Sequence, residues 1–408
     1  MHILIIHQAF ASLDEPGGTR HHEFARLLAS RGHKVTVIAS PVSYITGAPT
    51  PSQPPPSSKK MGEVPKAEGV EILRASVYTA HHKSFFHRSI AFFSFMFSSL
   101  LIGLKVKHVD LVWGTSPPIF QGATGWVLAK IKRVPFLFEV RDLWPQFAIA
   151  VGVLKNPVLI RATEWLERFL YRNADQVMVN SPGFLEAVTS RGAKRVELIP
   201  NGADPSMFDP EDDGAEFRRA QHLEDKFVVM YAGAHGISND LGVVLESASL
   251  LAEVPEIQIV LVGDGKEKFA LQTQAEKLNL KNVTFLPSVP KSEMAKTLAG
   301  AHACIAILKP LEEYKTTYPN KVFDYMAAAR PVILAIDGVI REVVESAKCG
   351  MFSTPGDAVE LADTIRLFYT NRDRSKRMGL AGREYLERNF SRAVIGEKLV
   401  GLLENLAM

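Results

Sequence analysis

The chain repeats one rhythm, a short apolar run followed by a turn and an amphipathic stretch, and it starts that rhythm over in its second half. The runs of the first half are Ile3 to Ile6, Val35 to Ala39, Leu111 to Trp113, Phe136 to Phe138, Val177 to Val179 and Val196 to Ile199. Those of the second are Phe227 to Tyr231, Ile257 to Val262, Val283 to Leu286, Cys304 to Leu308 and Val332 to Ile336. Short continuous apolar runs read as strands buried on both faces, and alternation with helices makes their sheets mostly parallel. Phe24, Leu27 and Leu28 pattern one such helix, ended by Arg31 and Gly32, while Trp165, Leu166, Phe169 and Leu170 pattern another. The expected fold class is α/β, two doubly wound Rossmann-like domains facing a cleft. Their boundary falls in Asn201 to Lys226, where Pro205, Pro210 and the acidic Glu211, Asp212 and Asp213 interrupt the pattern.

A chain of 408 residues with 47% hydrophobic side chains can supply cores for two or three domains. The net charge of +3 is small for that size and gives no sign of a nucleic-acid partner. Cys304 and Cys349 stand far apart without a ligand pattern around them, which argues against a disulfide scaffold or a zinc site and fits a reducing cytoplasm. The start, MHILIIHQAF, reads as a first strand and not as a signal peptide. No carboxylate ligand set is readable around the His21–His22 and His81–His82 doublets, so no metal is expected.

Two stretches depart from the rhythm. Between Pro49 and Pro65 stand six prolines with Ser52, Ser57, Ser58, Lys59 and Lys60, a composition that predicts a mobile loop over 48–66. Ile90 to Leu104, IAFFSFMFSSLLIGL, is an apolar helix of about 22 Å, short of the roughly 30 Å needed to span a membrane. It is either a buried helix of the first domain or an apolar face that also dips into a membrane surface. Lys83 and Arg88 before it, Lys105 and Lys107 after it, and the phenylalanines Phe85, Phe86, Phe92, Phe93, Phe95 and Phe97 fit the second possibility.

The stretch Thr316 to Leu334, TTYPNKVFDYMAAARPVIL, joins a charged helix start to a short helix and a buried strand. Val322, Phe323, Met326 and Ala327 share its apolar face, and Pro331 is expected to stop it. Asn320, Lys321 and Asp324 share the polar side. A lysine in the first helical turn opposes the helix dipole, so Lys321 is either merely solvated or marks an anion site. Gly17, Gly18, Thr19 and Arg20 lie between a strand and a helix, and Gly263, Asp264 and Gly265 follow another strand. Adjacent glycines admit a phosphate or sugar to the backbone, though the spacing does not match the dinucleotide fingerprint. EVRDLWP, Glu139 to Pro145, brings Glu139, Arg141 and Asp142 to the end of a strand, where Arg141 and Asp142 either bind a ligand or simply pair with each other.

These pieces, in this order, resemble the family 4 glycosyltransferases of the GT-B fold. The resemblance spans GGTR at Gly17 to Arg20, RGHKVTV at Arg31 to Val37, RDLWP at Arg141 to Pro145 and IPNGAD at Ile199 to Asp204. It continues through YAGAHG at Tyr231 to Gly236, LVGDG at Leu261 to Gly265 and PNKVFDYMAAARPV at Pro319 to Val332. RDLWP and the PNK element look most like the branch acting in O-antigen, capsule and exopolysaccharide assembly.

The resemblance implies an acceptor domain over 1–202, a nucleotide-sugar domain over 203–385, and a helix over 386–408 that packs back on the first domain. It implies a retaining, metal-independent hexosyl- or N-acetylhexosaminyl-transferase (EC 2.4) that needs no cofactor. The donor is expected to be UDP-linked, and the acceptor a lipid-linked saccharide or polyprenyl diphosphate at the cytoplasmic face of the membrane. By position, Gly263, Gly265, Ser288 and Val289 would line the nucleoside, Tyr318, Asn320 and Lys321 would hold the diphosphate, and Gly17, Gly18 and Arg20 would close on it. Arg141 and Asp142 would serve the acceptor side, and Asp324 would bind sugar or ribose hydroxyls.

Two departures matter. The family's pair of glutamates separated by seven residues falls on Thr316 and Asp324, and the arginine and lysine expected after the second domain's first strand are replaced by Ala234 to Asp240, AHGISND. Lys321 is left as the obvious cation for the leaving group, with His235, Lys309 or Lys315 as helpers. The alternatives are a nucleotide-sugar epimerase of the same fold and a catalytically silent nucleotide-sugar-binding protein.

Overall fold

The computed structural model describes residues 1–42, 69–78 and 85–407, with the backbone alone for 85–89. The expected mobile loop at 48–66 and the His81–His82 doublet lie outside the described residues. The chain divides into two compact units, Met1–Ile199 with Gly396–Met408, and Pro200–Ile395.

The first unit runs β1 His2–Ile6, α1 Arg20–Ser30, β2 Lys34–Ala39, β3 Val70–Arg74, α2 Phe85–Lys105, β4 Leu111–Ser116 and α3 Phe120–Lys132. It continues with β5 Phe136–Val140, α4 Gln146–Ala150, α5 Pro157–Asn173, β6 Gln176–Val179, α6 Leu185–Ser190 and β7 Val196–Leu198. All seven strands are parallel in the order β3-β2-β1-β4-β5-β6-β7, with Ile3 in register with Val35 on one side and Leu111 on the other. Every residue of β1, β4 and β5 is buried, which is why those runs lack alternation. One face of the sheet is covered by α2, α3 and α5, whose Phe95, Leu128 and Leu170 share a core with Leu4, Ile6, Phe136 and Phe138.

The second unit runs α7 Ala215–Ala220, β8 Phe227–Ala232, α8 Leu241–Leu250, β9 Ile257–Val262, α9 Lys268–Lys277, β10 Val283–Leu286, α10 Lys291–Ala299 and β11 Ala303–Ile307. Then follow α11 Asn320–Ala327, β12 Val332–Ala335, α12 Val339–Ser346, β13 Gly350–Phe352, α13 Ala358–Thr370, α14 Arg372–Asn389 and α15 Arg392–Ala407. Its six parallel strands are ordered β10-β9-β8-β11-β12-β13, so the five expected strands gain an edge strand, β13. From Gly396 on, α15 belongs to the first unit.

Helix α11 ends before the expected stop at Pro331. Ala329 takes φ +52° and Arg330 N–H bonds Tyr325 O at 2.9 Å, closing the helix in a left-handed turn that leaves Pro331 to lead into β12.

Candidate active site

In each sheet the strand order reverses once, between β1 and β4 and between β8 and β11. Open α/β sheets bind ligands at the carboxyl ends of the strands beside such a reversal. The sequence places its candidate residues on the loops that leave these ends.

In the second unit the loops after β8 and β9 are joined backbone to backbone. Gly233 N–H bonds Val262 O at 2.9 Å, His235 N–H bonds Asp264 O at 2.8 Å, and Glu267 N–H returns to His235 O at 2.9 Å. A Cβ on Gly263 would lie 1.9 Å from Gly233 O, and one on Gly265 2.4 Å from His235 O, so only glycine allows the two loops to meet. Lys268 Nζ completes the junction by donating to Gly263 O at 2.7 Å and Leu286 O at 3.0 Å.

His235 is trapped beneath these loops, fully buried, with no partner for either ring nitrogen. Burial, reinforced by Lys268, holds its pKa down to about 4. Without a ligand it is therefore a neutral imidazole at physiological pH.

Lys321 extends from the first turn of α11 to the end of β8. Its Nζ donates to Tyr231 Oη at 2.7 Å, lies 3.3 Å from Asn239 Oδ1, and sits 3.9 Å from the Tyr231 ring centroid. The Tyr231 hydroxyl is itself oriented by donating to Ala234 O at 2.7 Å. Burial pushes the Lys321 ammonium down to about 7, and among the described residues no carboxylate pairs with it. A half-buried cation with only neutral partners favours an anion there.

Asp324, one turn further on, is already engaged. Lys291 Nζ is 2.5 Å from its Oδ1 and Asn320 Nδ2 donates to Oδ2 at 3.4 Å. Lys291, nearly buried, was missed in the sequence, although it shows the same oddity as Lys321, a lysine opening a helix. Thr316, at the place of the absent acid, donates to Glu313 O at 2.6 Å. Lys315 is spent on Glu312 at 2.7 Å, and the Lys309 N–H bonds Ser238 O at 3.0 Å. The Tyr318 ring packs on Phe323 and Phe390, while its carbonyl accepts from Asn201 Nδ2 at 2.7 Å. Val289 packs on the core and Ser288 is half-buried in the loop between β10 and α10.

In the first unit, Glu139 at the end of β5 is the centre of a buried cluster. Its carboxylate accepts from Arg20 Nε at 3.0 Å, His21 Nε2 at 2.5 Å and Trp113 Nε1 at 3.1 Å. Burial alone would raise the Glu139 pKa, but His21 and Arg20 outweigh it and hold the carboxyl well below the usual range. The His21 ring lies on His7, centroids 4.0 Å apart, and His7 Nδ1 meets Thr115 Oγ1 at 2.9 Å. Arg20 also donates to Ile199 O at 2.6 Å. The Arg20 guanidinium thus braces the end of β5 against the residue that follows β7.

Arg141 acts electrostatically on both Glu139 and Asp142, yet Arg141 and Asp142 form no ion pair among the described residues. Arg141 Nη2 donates to Pro117 O at 3.0 Å, while its buried Nε has no acceptor. Burial raises the Asp142 pKa to about 6, against the opposing pull of Arg141. Gly17, with φ +146°, and Gly18 precede α1, and a Cβ on Gly18 would meet nothing within 4 Å.

Two doubly wound units, each with a loop cluster at its strand-order reversal, define the class. Residues 17–202 match the glycosyl transferase 4-like domain and residues 212–385 match the glycosyl transferases group 1 family. The chain belongs to the family 4 glycosyltransferases and is an enzyme of that class. The putative colanic acid biosynthesis glycosyl transferase WcaI of Escherichia coli K12 is 23% identical over 326 residues, 77% of this chain and 78% of that protein. A GDP-mannose-dependent alpha-mannosyltransferase of Mycolicibacterium smegmatis is 25% identical over 296 residues, 72% of this chain and 73% of its own. Among solved structures, sucrose-phosphate synthase from Thermosynechococcus elongatus matches with a TM-score of 0.77 at 19% identity, over 99% of this chain and 98% of that one. Anabaena HepE in complex with UDP-glucose matches with a TM-score of 0.73 at 17% identity, over 100% of each. These likenesses show the GT-B fold.

Proposed function

We propose that the protein is a retaining glycosyltransferase of cell-surface polysaccharide synthesis. It moves a hexosyl or N-acetylhexosaminyl group from a UDP-linked donor to a lipid-linked saccharide or polyprenyl-diphosphate acceptor, in the cytoplasm at the inner face of the membrane. The observation that carries this reading is Lys321, a half-buried ammonium with neutral partners at the end of β8. The name of the WcaI relative supports polysaccharide synthesis, and HepE, solved with UDP and UDP-glucose, supports the uridine base.

Breaking the bond between the anomeric carbon and the donor phosphate leaves negative charge on the departing diphosphate. Lys321 and the amides of the joined glycine loops would receive it, each well-placed donor contributing about 3 to 4 kcal/mol. The acceptor hydroxyl oxygen bonds the anomeric carbon on the face the phosphate leaves, and its proton passes to a phosphate oxygen. Configuration is retained, and no step uses a metal or cofactor. On the acceptor side, Asp142 would accept a hydrogen bond from a sugar hydroxyl, and the unpartnered Arg141 Nε would donate to an acceptor oxygen.

The test incubates the enzyme with UDP-glucose, UDP-galactose, UDP-N-acetylglucosamine and GDP-mannose, with and without a polyprenyl-diphosphate sugar, and follows the products by NMR. Transfer with an unchanged anomeric configuration is expected. Conversion of the donor with no acceptor present would make it an epimerase, and nucleotide binding without turnover would make it a silent binding protein.

A further inference from the structure

The first unit concentrates its exposed apolar side chains on one face. Along α2, Ile90, Phe93, Phe97, Leu101 and Leu104 form a stripe at helical spacing, with Phe97 61% and Leu101 63% exposed. The opposite side of the helix is fixed inward, Phe95 and Ser99 being buried and Gly103 packed so closely on α3 that a Cβ would lie 2.5 Å from Leu128 Cδ1. The same layer adds Ile131 at the end of α3 and Val158, Leu159 and Trp165 on α5, with Val158 70% and Trp165 65% exposed. Among the described residues, the unit's other exposed large apolar side chains border this layer. Tyr78 has its N–H bonded to Ser94 Oγ on α2 at 2.8 Å, and Val153 just precedes α5.

The charges along the α2 and α3 stripes have one sign. From 90 to 107 and from 120 to 133 the chain carries Lys105, Lys107, Lys130, Lys132 and Arg133, and no acid. On α5, Arg161 and Arg172 are exposed, Glu167 is buried on Tyr171 and Arg191, and Glu164 meets Arg168 at 3.8 Å. No described helix is long and apolar enough to cross a membrane. Apolar stripes bordered by lysine and arginine match a surface of acyl chains beneath anionic headgroups.

We propose that the first unit docks on an anionic phospholipid surface through the α2–α3–α5 face, with α2 lying in the plane of the interface. The surface rests on the reading of a lipid-linked acceptor for its purpose only, since lipid binding is measured without donor or acceptor.

The experiment floats the full chain with vesicles of phosphatidylglycerol and phosphatidylcholine, and with phosphatidylcholine alone, at low and high salt. Salt-sensitive binding to the anionic vesicles is expected, with a blue shift of tryptophan emission that disappears in Trp165→Phe. Phe97→Ser with Leu101→Ser is expected to weaken binding at least about tenfold. Arg161→Gln and Arg172→Gln each weaken it about fivefold, on anionic vesicles only. All these side chains are exposed, so unchanged melting temperatures and unchanged transfer to a water-soluble acceptor separate loss of docking from loss of fold or of catalysis. Wild-type protein that does not float, or flotation that survives the double substitution, overturns the proposal. A wild-type dimer that the same double substitution makes monomeric would assign the face to a second copy of the chain instead.

Discussion

Lys321 is held by a phenol and an amide, and that choice of partners sets both its acidity and its use. Lys321→Ala is expected to lower turnover about 100-fold or more with the melting temperature unchanged or raised, because a poorly solvated cation is removed. Transfer near the wild-type rate by the folded variant would end the assignment. With its pKa near 7 against an ordinary value of 10.5, the unfolded chain holds this proton more tightly across that window. The ligand-free protein should therefore gain stability as pH rises from about 7 toward 10, and Lys321→Ala should lose that part of the profile. Chemical denaturation at several pH values checks it. Asp324 and Lys291 form the other pair of consequence, both largely buried. Lys291→Ala removes the cation beside the Asp324 carboxylate and should cost about 3 to 5 kcal/mol, more than the double replacement Lys291→Met with Asp324→Asn. If instead Asp324→Ala changes donor discrimination without loss of stability, the carboxylate serves the ligand and not the lysine. The oddity of Lys321 was readable in sequence because its helix position alone exposes it. The Lys291–Asp324 pair was not, since nothing local joins residues 33 positions apart.

The strand rhythm was legible at the level of elements because strands buried on both faces appear as unbroken apolar runs. The two strands that escaped are edges: β3 alternates around the exposed Glu71, and β13 is three half-buried residues, so neither carries such a run. The glycine loops after β8 and β9 were visible as motifs, but their mutual contact was not. That contact makes a sharp expectation, since a methyl group on Gly263 would overlap Gly233 O and the φ of +149° is itself unfavourable for other residues. Gly263→Ala should cost at least about 2 kcal/mol in stability and abolish measurable nucleotide binding. Unchanged binding in calorimetry would mean that the loops separate freely and do not shape the donor site. The partners of Glu139 outside EVRDLWP were hidden for the same reason of distance. Glu139 turns back to Arg20 and His21, which lie on α1 and belong to the same sheet end only once β1 and β5 are placed in order.

For the whole molecule, the family and the GT-B fold emerge from the order of many short motifs, each of them loose on its own. Treatment with EDTA should leave the transfer rate unchanged, because charge on the departing diphosphate is met by Lys321 and backbone amides; a loss restored by Mg²⁺ or Mn²⁺ would require a metal in the reaction. The most direct measurement is calorimetric binding of UDP and GDP to the wild-type chain and to Lys321→Ala, at pH 7 and pH 9 and in buffers of different ionisation enthalpy. Binding of at least one of them to the wild type is expected to weaken from pH 7 to pH 9 with proton uptake at the higher pH, as the diphosphate returns Lys321 to its charged form. In Lys321→Ala the affinity should fall at least about tenfold at pH 7 and lose both the pH dependence and the proton uptake. Equal affinity in the two proteins at both pH values, with no proton taken up by either, would contradict the role of Lys321 as the diphosphate clamp.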